Sequence, residues 1–302
     1  MHKYFIYILL MFTPFIVSSQ SEYKDYHENG NLKYDGFTKD NQPHGFWKGY
    51  YDNGNLEVDG NYDNGNKVGT WNFYSNGELD ATGEYIDDLR NGIWSFYFGP
   101  NHLEQVDNYN NGQLDGLMKV YYEYPKNQIR SIGNYKNGVT NGLSKMFFNN
   151  GNLKSEGSYD NGEGEGIWKS FYENGQLKMV TFFKKGKLDG LIKTYRTNGT
   201  LRSITPYING EIYGFIQEFD EKGNISYQEN YLNGNEEGLF QEWYSNGNLK
   251  YKVTFQKNQG LGVWAFYHEN GTLKSKVFWD DIDQTKYLIN CWDEMGNIIE
   301  CE

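Results

Sequence analysis

Beyond residue 20, apolar and polar residues alternate in short runs, and each run is cut off by a cluster of turn formers. The stretch Gly166-Ile167-Trp168-Lys169-Ser170-Phe171-Tyr172-Glu173-Asn174-Gly175-Gln176-Leu177 shows the pattern: an apolar run meets Asn-Gly, and an apolar run resumes. Alternation with period two marks a half-buried strand. Asn-Gly supplies positive φ at both centres of a type I′ turn, so each such stretch predicts a hairpin. The chain holds sixteen Asn-Gly dipeptides, and Gly99-Pro100-Asn101 and Pro125-Lys126-Asn127 stand in where one is missing. With no helical period in this region, the pattern predicts an all-β chain.

Aligned with itself, the sequence repeats about every 24 residues. One marker is an apolar residue just past the turn: Leu32, Leu56, Leu79, Leu103, Ile129, Leu153, Leu177, Leu201, Ile225, Leu249, Leu273 and Ile298. A second series keeps the same beat: Gly45, Gly69, Gly92, Gly116, Gly142, Gly166, Gly190, Gly214, Gly238 and Gly262. The expected fold is an elongated meander of about eleven hairpin repeats of about 24 residues, forming one long twisted antiparallel sheet. At a strand spacing of ~4.8 Å such a sheet would run about 100 Å. Open sheets of this many strands curl, so twist is expected.

Strand parity follows from the turn. With a two-residue turn at Asn174-Gly175, Tyr172 faces Leu177, and Trp168 faces Thr181, where other repeats carry Gly60, Gly133 or Gly157. A Trp opposite a strand glycine is expected to cover the bare backbone. The same face gains an aromatic column at Tyr62, Tyr85, Tyr109, Tyr135, Tyr159, Phe183, Tyr207, Tyr231, Phe255 and Trp279, and is read as the buried one. The other face carries Tyr50, Tyr97, Tyr121, Phe147, Phe171, Tyr195, Phe219, Trp243 and Tyr267 beside Lys154, Lys178, Arg202, Lys250 and Lys274. Basic stems covering these rings are the first explanation of that mixture. A ladder of rings for stacking a ligand, with Tyr121, Phe147, Phe171, Tyr195, Phe219 and Trp243 as its candidate binding residues, is the second.

Composition supports a folded β chain. Glycine is 36 of 302 residues against a usual ~7%, and aromatics reach 18%; a disordered chain lacks such aromatics. The formal net charge of −12 makes phosphate backbones and anionic membrane surfaces poor partners. At the N-terminus, Met1-His2-Lys3 precedes an apolar run from Tyr4 to Val17 and then Ser18, Ser19 and Gln20, the order of a secretory signal. That run is shorter than the ~20 residues of a membrane span. Residues 1–19 are therefore expected to be removed, leaving residues 20–302 as an exported repeat array with a C-terminal cap at about 287–302.

The unit Gly-x-Trp-x-x-x-Tyr-x-Asn-Gly-x-Leu-x-x-x-Gly-x-Tyr, present at 166–183 with Thr181 in place of glycine, resembles the MORN-repeat variant family. The resemblance covers about residues 23–298. It implies strings of β-hairpins in one elongated sheet and a binding or scaffolding role, and it carries no catalytic residues to transfer. Some bacterial members are labelled antitoxin-like, a cytoplasmic role that a secretion signal argues against.

Catalytic and metal constellations were sought along the chain. His27, His44, His102 and His268 fall in different repeats, and no His-Glu-x-x-His, Gly-x-Ser-x-Gly or phosphate-loop pattern occurs. Asp59, Asn61 and Asp63 hint at a calcium loop, but Gly65 and Thr70 break the EF-hand pattern. No enzyme activity, cofactor or metal is therefore expected. The sequence points to an exported binding or scaffolding surface for protein partners at the cell envelope, the competing reading being a glycan-binding module or glycan-processing enzyme that uses the aromatic column. The two cysteines, Cys291 and Cys301, flank the last turn. A three-residue loop at 295–297 would set them directly opposite each other, within reach of a disulfide in an oxidising compartment.

Overall fold

The computed structural model describes residues 19–279 and 285–301. The expected leader, apart from Ser19, lies outside the described residues. Among those described there is no helix: thirty strands, from Ser21–Tyr26 to Ile298–Ile299, form an open antiparallel meander. None of the described segments is a helix long and apolar enough to cross a membrane. The chain divides into two units, one running to Asn101 and including Tyr109–Gly112, the other comprising His102–Asn108 and everything from Gln113 onward. In each, a strand packs on the strands that precede and follow it in the chain.

The two ends of most strands turn differently. Where one repeat passes to the next, Asn64-Gly65, Asn111-Gly112, Asn137-Gly138, Asn161-Gly162, Asn209-Gly210 and Asn233-Gly234 have positive φ at both residues, the type I′ geometry. At most turns within a hairpin only the glycine is left-handed, as at Gly175 (φ 86°) but not Asn174; Asn76-Gly77, a two-residue turn between Ser75 and Glu78, is an exception with both residues at positive φ. The Gly175 N–H donates to the Tyr172 carbonyl and the Tyr172 N–H to the Gln176 carbonyl, closing a three-residue loop. This corrects the two-residue turn expected at Asn174-Gly175. Phe171, not Tyr172, is opposite Leu177, and a shift between Ser170 and Phe171 restores the register in which Trp168 faces Thr181.

Hydrogen bonds explain why asparagine stands in the hairpin turn. The Asn174 Oδ1 accepts the Gln176 N–H, fastening its own loop, while its Nδ2 donates to the Thr197 carbonyl of the next repeat. Asn29, Asn150, Asn246 and Asn270 make the same forward bond to Asp52, Glu173, Glu269 and Glu294. One row inward, Tyr51, Tyr122, Tyr172 and Tyr244 hydroxyls donate to the carbonyls of Tyr74, Phe147, Tyr195 and Tyr267. At two hairpin turns Lys222 and Met295 stand directly before the glycine in the asparagine's place. At these, Asp220 and Asp293 accept the loop N–H groups instead, and side-chain bonds from Asn224 and Asn297 hold both carboxyls below the usual range.

The opposite edge is stitched by a regular backbone bond, with side chains such as Asp88 and Glu165 adding to it by accepting the Lys67 and Lys185 N–H groups. The glycine of each I′ turn donates to a carbonyl of the previous repeat, as Gly162 N–H does to Thr140 and Gly210 N–H to Leu188. Each acceptor lies two residues before a glycine of the second marker series, and that glycine has positive φ (Gly142, 99°; Gly190, 131°). An L side chain rarely adopts this conformation, which accounts for the phase-locked glycines.

Tryptophan packs on the strand before it. Trp71 is in register with Gly83, yet its ring lies over Gly60, where an added Cβ would come within 2.2 Å of it. Trp47, Trp94 and Trp168 likewise cover Gly36, Gly83 and Gly157, so the covered glycine is not the register partner that strand parity suggested. The indole N–H fixes the direction: Trp47, Trp71, Trp94, Trp168 and Trp264 donate to the carbonyl ten residues earlier. Tyr62, Tyr85 and Tyr159 meet the next Trp edge-on at 4.9 to 5.0 Å. This is the expected buried face, and Trp94 on it is 0% exposed.

Cys291 and Cys301 form a disulfide with Cα atoms 5.3 Å apart. Their register differs from the expected one. The loop is 294–296, which pairs Trp292 with Ile298 and Cys291 with Ile299, so the cysteines are diagonal rather than directly opposite. Diagonal residues approach closely enough when the second one lies beyond the paired segment, as Cys301 does.

Three measurements check this account. Gly83→Ala forces a methyl into the Trp94 ring and should cost about 1–3 kcal/mol in urea unfolding. Asn246→Asp replaces a forward donor by an acceptor and should cost about 1 kcal/mol, whereas Asn209→Asp, at a turn that needs only positive φ, should cost roughly a few tenths. Reducing the disulfide should release about 3 kcal/mol of cap stability, seen as faster hydrogen exchange over 286–299 with the central repeats unchanged.

Candidate binding surface

The six rings expected to form a binding column are all half-buried, and each faces one apolar partner across its hairpin. Tyr121 pairs with Ile129, Phe147 with Leu153, Phe171 with Leu177, Tyr195 with Leu201, Phe219 with Ile225 and Trp243 with Leu249. The first sequence marker and the aromatic column are therefore two halves of one cross-strand pair beside the hairpin turn. Such aromatic–aliphatic pairs stabilise a sheet in their own right. Basic stems do cover rings, but different ones: Lys154 lies over Phe148, Lys178 over Tyr172 and Lys250 over Tyr244.

The same face holds a second row that sequence reasoning missed. The residue after the strand-opening glycine, apolar in every repeat but that of Thr70, points away from the Trp face, because it immediately precedes the Trp position. Leu143, Ile167, Leu191, Phe215, Leu239 and Val263 are from 38% to 59% exposed. Directly opposite them, the neighbouring strand adds Phe182 to Ile167 and Phe278 to Val263, both exposed as well. The signal was present as a 24-residue series of apolar residues, but alternation alone does not say which face remains in water.

On the Trp face, cations of the chain itself occupy the aromatic boxes of the first unit. Lys67 Nζ sits 4.6 Å from the Trp71 ring centre and 5.2 Å from that of Tyr85. Arg90 repeats the arrangement at 4.4 Å from Trp94 and 5.5 Å from Tyr109. In the second unit, a cleft of ≈ 370 Å³ is lined by Trp168, Met179, Phe183, Leu188 and Ile192, and one of ≈ 320 Å³ by Tyr227, Glu229, Glu236, Phe240 and Tyr251 among others.

The four histidines among the described residues are apart. His27 and His268 bond to the carbonyls of Tyr50 and Trp292, taking the forward-bonding place that tyrosine holds elsewhere. His44 is 3.3 Å from Asp63, and His102 packs edge-on against Tyr124. Asp59, from the calcium-like triplet, accepts hydrogen bonds from Asn72 and Tyr74. Among the described residues, no three His, Cys, Asp or Glu side chains converge on a point that could hold a metal ion.

Comparison with known proteins adds a family. The chain is similar to a solved structure described as TcdB2-TccC3-Cdc42, at 14% identity over 92% of this chain and 14% of that one, with a TM-score of 0.19. A second, TcdB2-TccC3-TEV, is 13% identical over 93% of this chain and 16% of the other, also with a TM-score of 0.19. The chain thus spans about one seventh of the length of these proteins. No curated protein matches it. The MORN repeat variant model matches seven times, at residues 20–40, 43–64, 140–161, 164–185, 188–209, 236–257 and 261–281. Those matches cover half of the sequence and coincide with the hairpin period, and the chain belongs to the MORN repeat variant family.

Proposed function

We propose that this repeat protein is exported and acts without catalysis, presenting the sheet face opposite its tryptophans to a protein partner at the cell envelope. The observation that carries the reading is the exposed apolar row at Leu143, Ile167, Leu191, Phe215, Leu239 and Val263. An apolar row of this regularity on a water-facing sheet is the mark of an interaction surface. The period matters as much as the exposure, since the contact is repeated at one position in successive repeats and suits an extended partner. Export is supported by the Cys291–Cys301 disulfide, which persists in oxidising compartments, and by the leader-like order of residues 1–19.

The test is comparative capture from envelope fractions. Wild-type protein and the double variant Leu191→Glu/Phe215→Glu, whose sites are already in water, should share the same circular dichroism and unfolding midpoint. A protein retained by the wild type and reduced at least about tenfold by the variant supports the reading. Equal retention by both overturns it. Glycan arrays provide the contrary arm: binding lost on Phe171→Ala or Trp243→Ala, or turnover of any polysaccharide, would assign the function to the column instead.

A further inference from the structure

The repeat that opens at Gly238 reverses the chemistry of the boxes in the first unit. Two residues before the strand-opening glycine, Lys67 precedes Gly69 and Arg90 precedes Gly92, and each side chain lies over the rings of its box. At the same position before Gly238 stands Glu236. The rings remain: Phe240 occupies the place of Trp71 and Phe255 that of Tyr85, with their centres 4.7 Å apart. Trp264 meets Phe255 at 5.4 Å, and Tyr251 pairs with Phe266 at 6.1 Å. A second carboxylate enters where the first unit has a glycine. Glu229 corresponds to Gly60, and it has room because Phe240 is smaller than the Trp71 that covers Gly60.

The result is a cleft of ≈ 320 Å³ walled by Tyr227, Phe240, Tyr251, Phe255, Trp264 and Phe266 and containing Glu229 and Glu236. Its electrostatics are those of an aromatic box with its cation removed and two negative charges added. Glu229 accepts a hydrogen bond from the Tyr227 hydroxyl. Neither Glu229 nor Glu236 takes part in an ion pair among the described residues, whereas nearby Glu242 pairs with Lys250 at 2.7 Å. Burial, and then the neighbouring Glu229, raise the Glu236 carboxyl above its ordinary range. Burial followed by the charge of Glu229 pushes the Tyr231 hydroxyl up to about 12. In both, burial is the larger cause and the nearby Glu229 the next.

We propose that this box binds an organic cation of the alkylammonium class, held over the rings of Phe240, Phe255 and Tyr251 and paired with Glu236 and Glu229. The internal precedent is the chain's own: Lys67 and Arg90 show that a cation at this repeat position reaches the rings, and Glu236 leaves the place to a cation from outside. The site is on the Trp face, so it does not rest on the protein-binding reading of the opposite face, and either can fail without the other.

Isothermal titration of the full mature chain tests it with choline, butylammonium, N-acetyl-lysine methylamide and 3,3-dimethylbutan-1-ol, the last being choline's uncharged isostere. The expected result is binding of choline or butylammonium at least roughly tenfold tighter than that of the neutral alcohol. Glu236→Lys should fill the box as Lys67 does, abolishing that binding while keeping the thermal midpoint. Glu229→Gln/Glu236→Gln, which alters charge but little volume, should lose it as well. Tighter binding of the lysine amide than of butylammonium would assign the cation to a protein side chain, and the reverse order to a free amine. Equal affinity for choline and the neutral alcohol, no heat with any ammonium probe, or unchanged affinity in the folded variants overturns the proposal.

Discussion

A sheet with no second layer over it has to bury side chains against its own strands, and that constraint shapes the rest of the molecule. Ordinary domains solve burial by stacking layers. Here no helix is present among the described residues, and strands touch only their neighbours in the chain. Tryptophans supply the missing layer locally: the rings of Trp47, Trp71, Trp94 and Trp168 each lie on a glycine of the previous strand and are anchored by their N–H to the carbonyl ten residues earlier. A glycine is required there because a methyl would overlap the ring. The edge-on tyrosines then close the space between successive indoles, so repeat stability becomes a nearest-neighbour quantity. Where Met118, Ser144 or Ile192 replaces Trp, the ring contact is absent and the burden shifts to the two edges.

Those edges hold because each repeat bonds to its neighbour, side chains donating forward at the hairpin turns and glycine N–H groups donating backward at the I′ turns. The turn asparagines on one side, the I′ glycines on the other and the tyrosine hydroxyls between them all reach about 22 to 25 residues along the chain. Each bond uses a donor that a lone hairpin would leave to water, so a hairpin gains it only when its neighbour is in place. An isolated hairpin is marginal in water, and this bonding between repeats is what makes an array cooperative.

The fold was legible in the sequence because the period, the alternation and the glycines all reported one repeat. What was hidden follows from degeneracy in Asn-Gly. A type I′ turn and a three-residue loop both place the glycine at positive φ and differ in the φ of the asparagine and in loop length, neither of which the dipeptide itself reveals. The forward Nδ2 bond of Asn174 selects the second, and that bond depends on the next repeat, which a local pattern does not contain. Trp71 shows the same limit. Parity gives it a glycine on either side, Gly60 and Gly83, and only the position of the acceptor carbonyl on Asn61 decides between them. Cys291 and Cys301 met despite a register two residues away from the expected one, because the segment at Cys301 is free of the ladder.

Near-identical repeats also make their exceptions informative. A residue that follows the period is explained by the period, as the column from Tyr121 to Trp243 is explained by its Leu and Ile partners. A position with no period of its own is read from its surroundings: Glu236 shares its place with Lys67, Arg90, Leu114 and Leu188, and what sets it apart is the carboxylate it brings to rings of the kind that Lys67 and Arg90 cover with a cation. The exposed row from Leu143 to Val263 poses the complementary case, since it keeps the period while each side chain remains 38% to 59% exposed. Apolar exposure at this scale favours self-association, which the net charge of −12 opposes by mutual repulsion between copies.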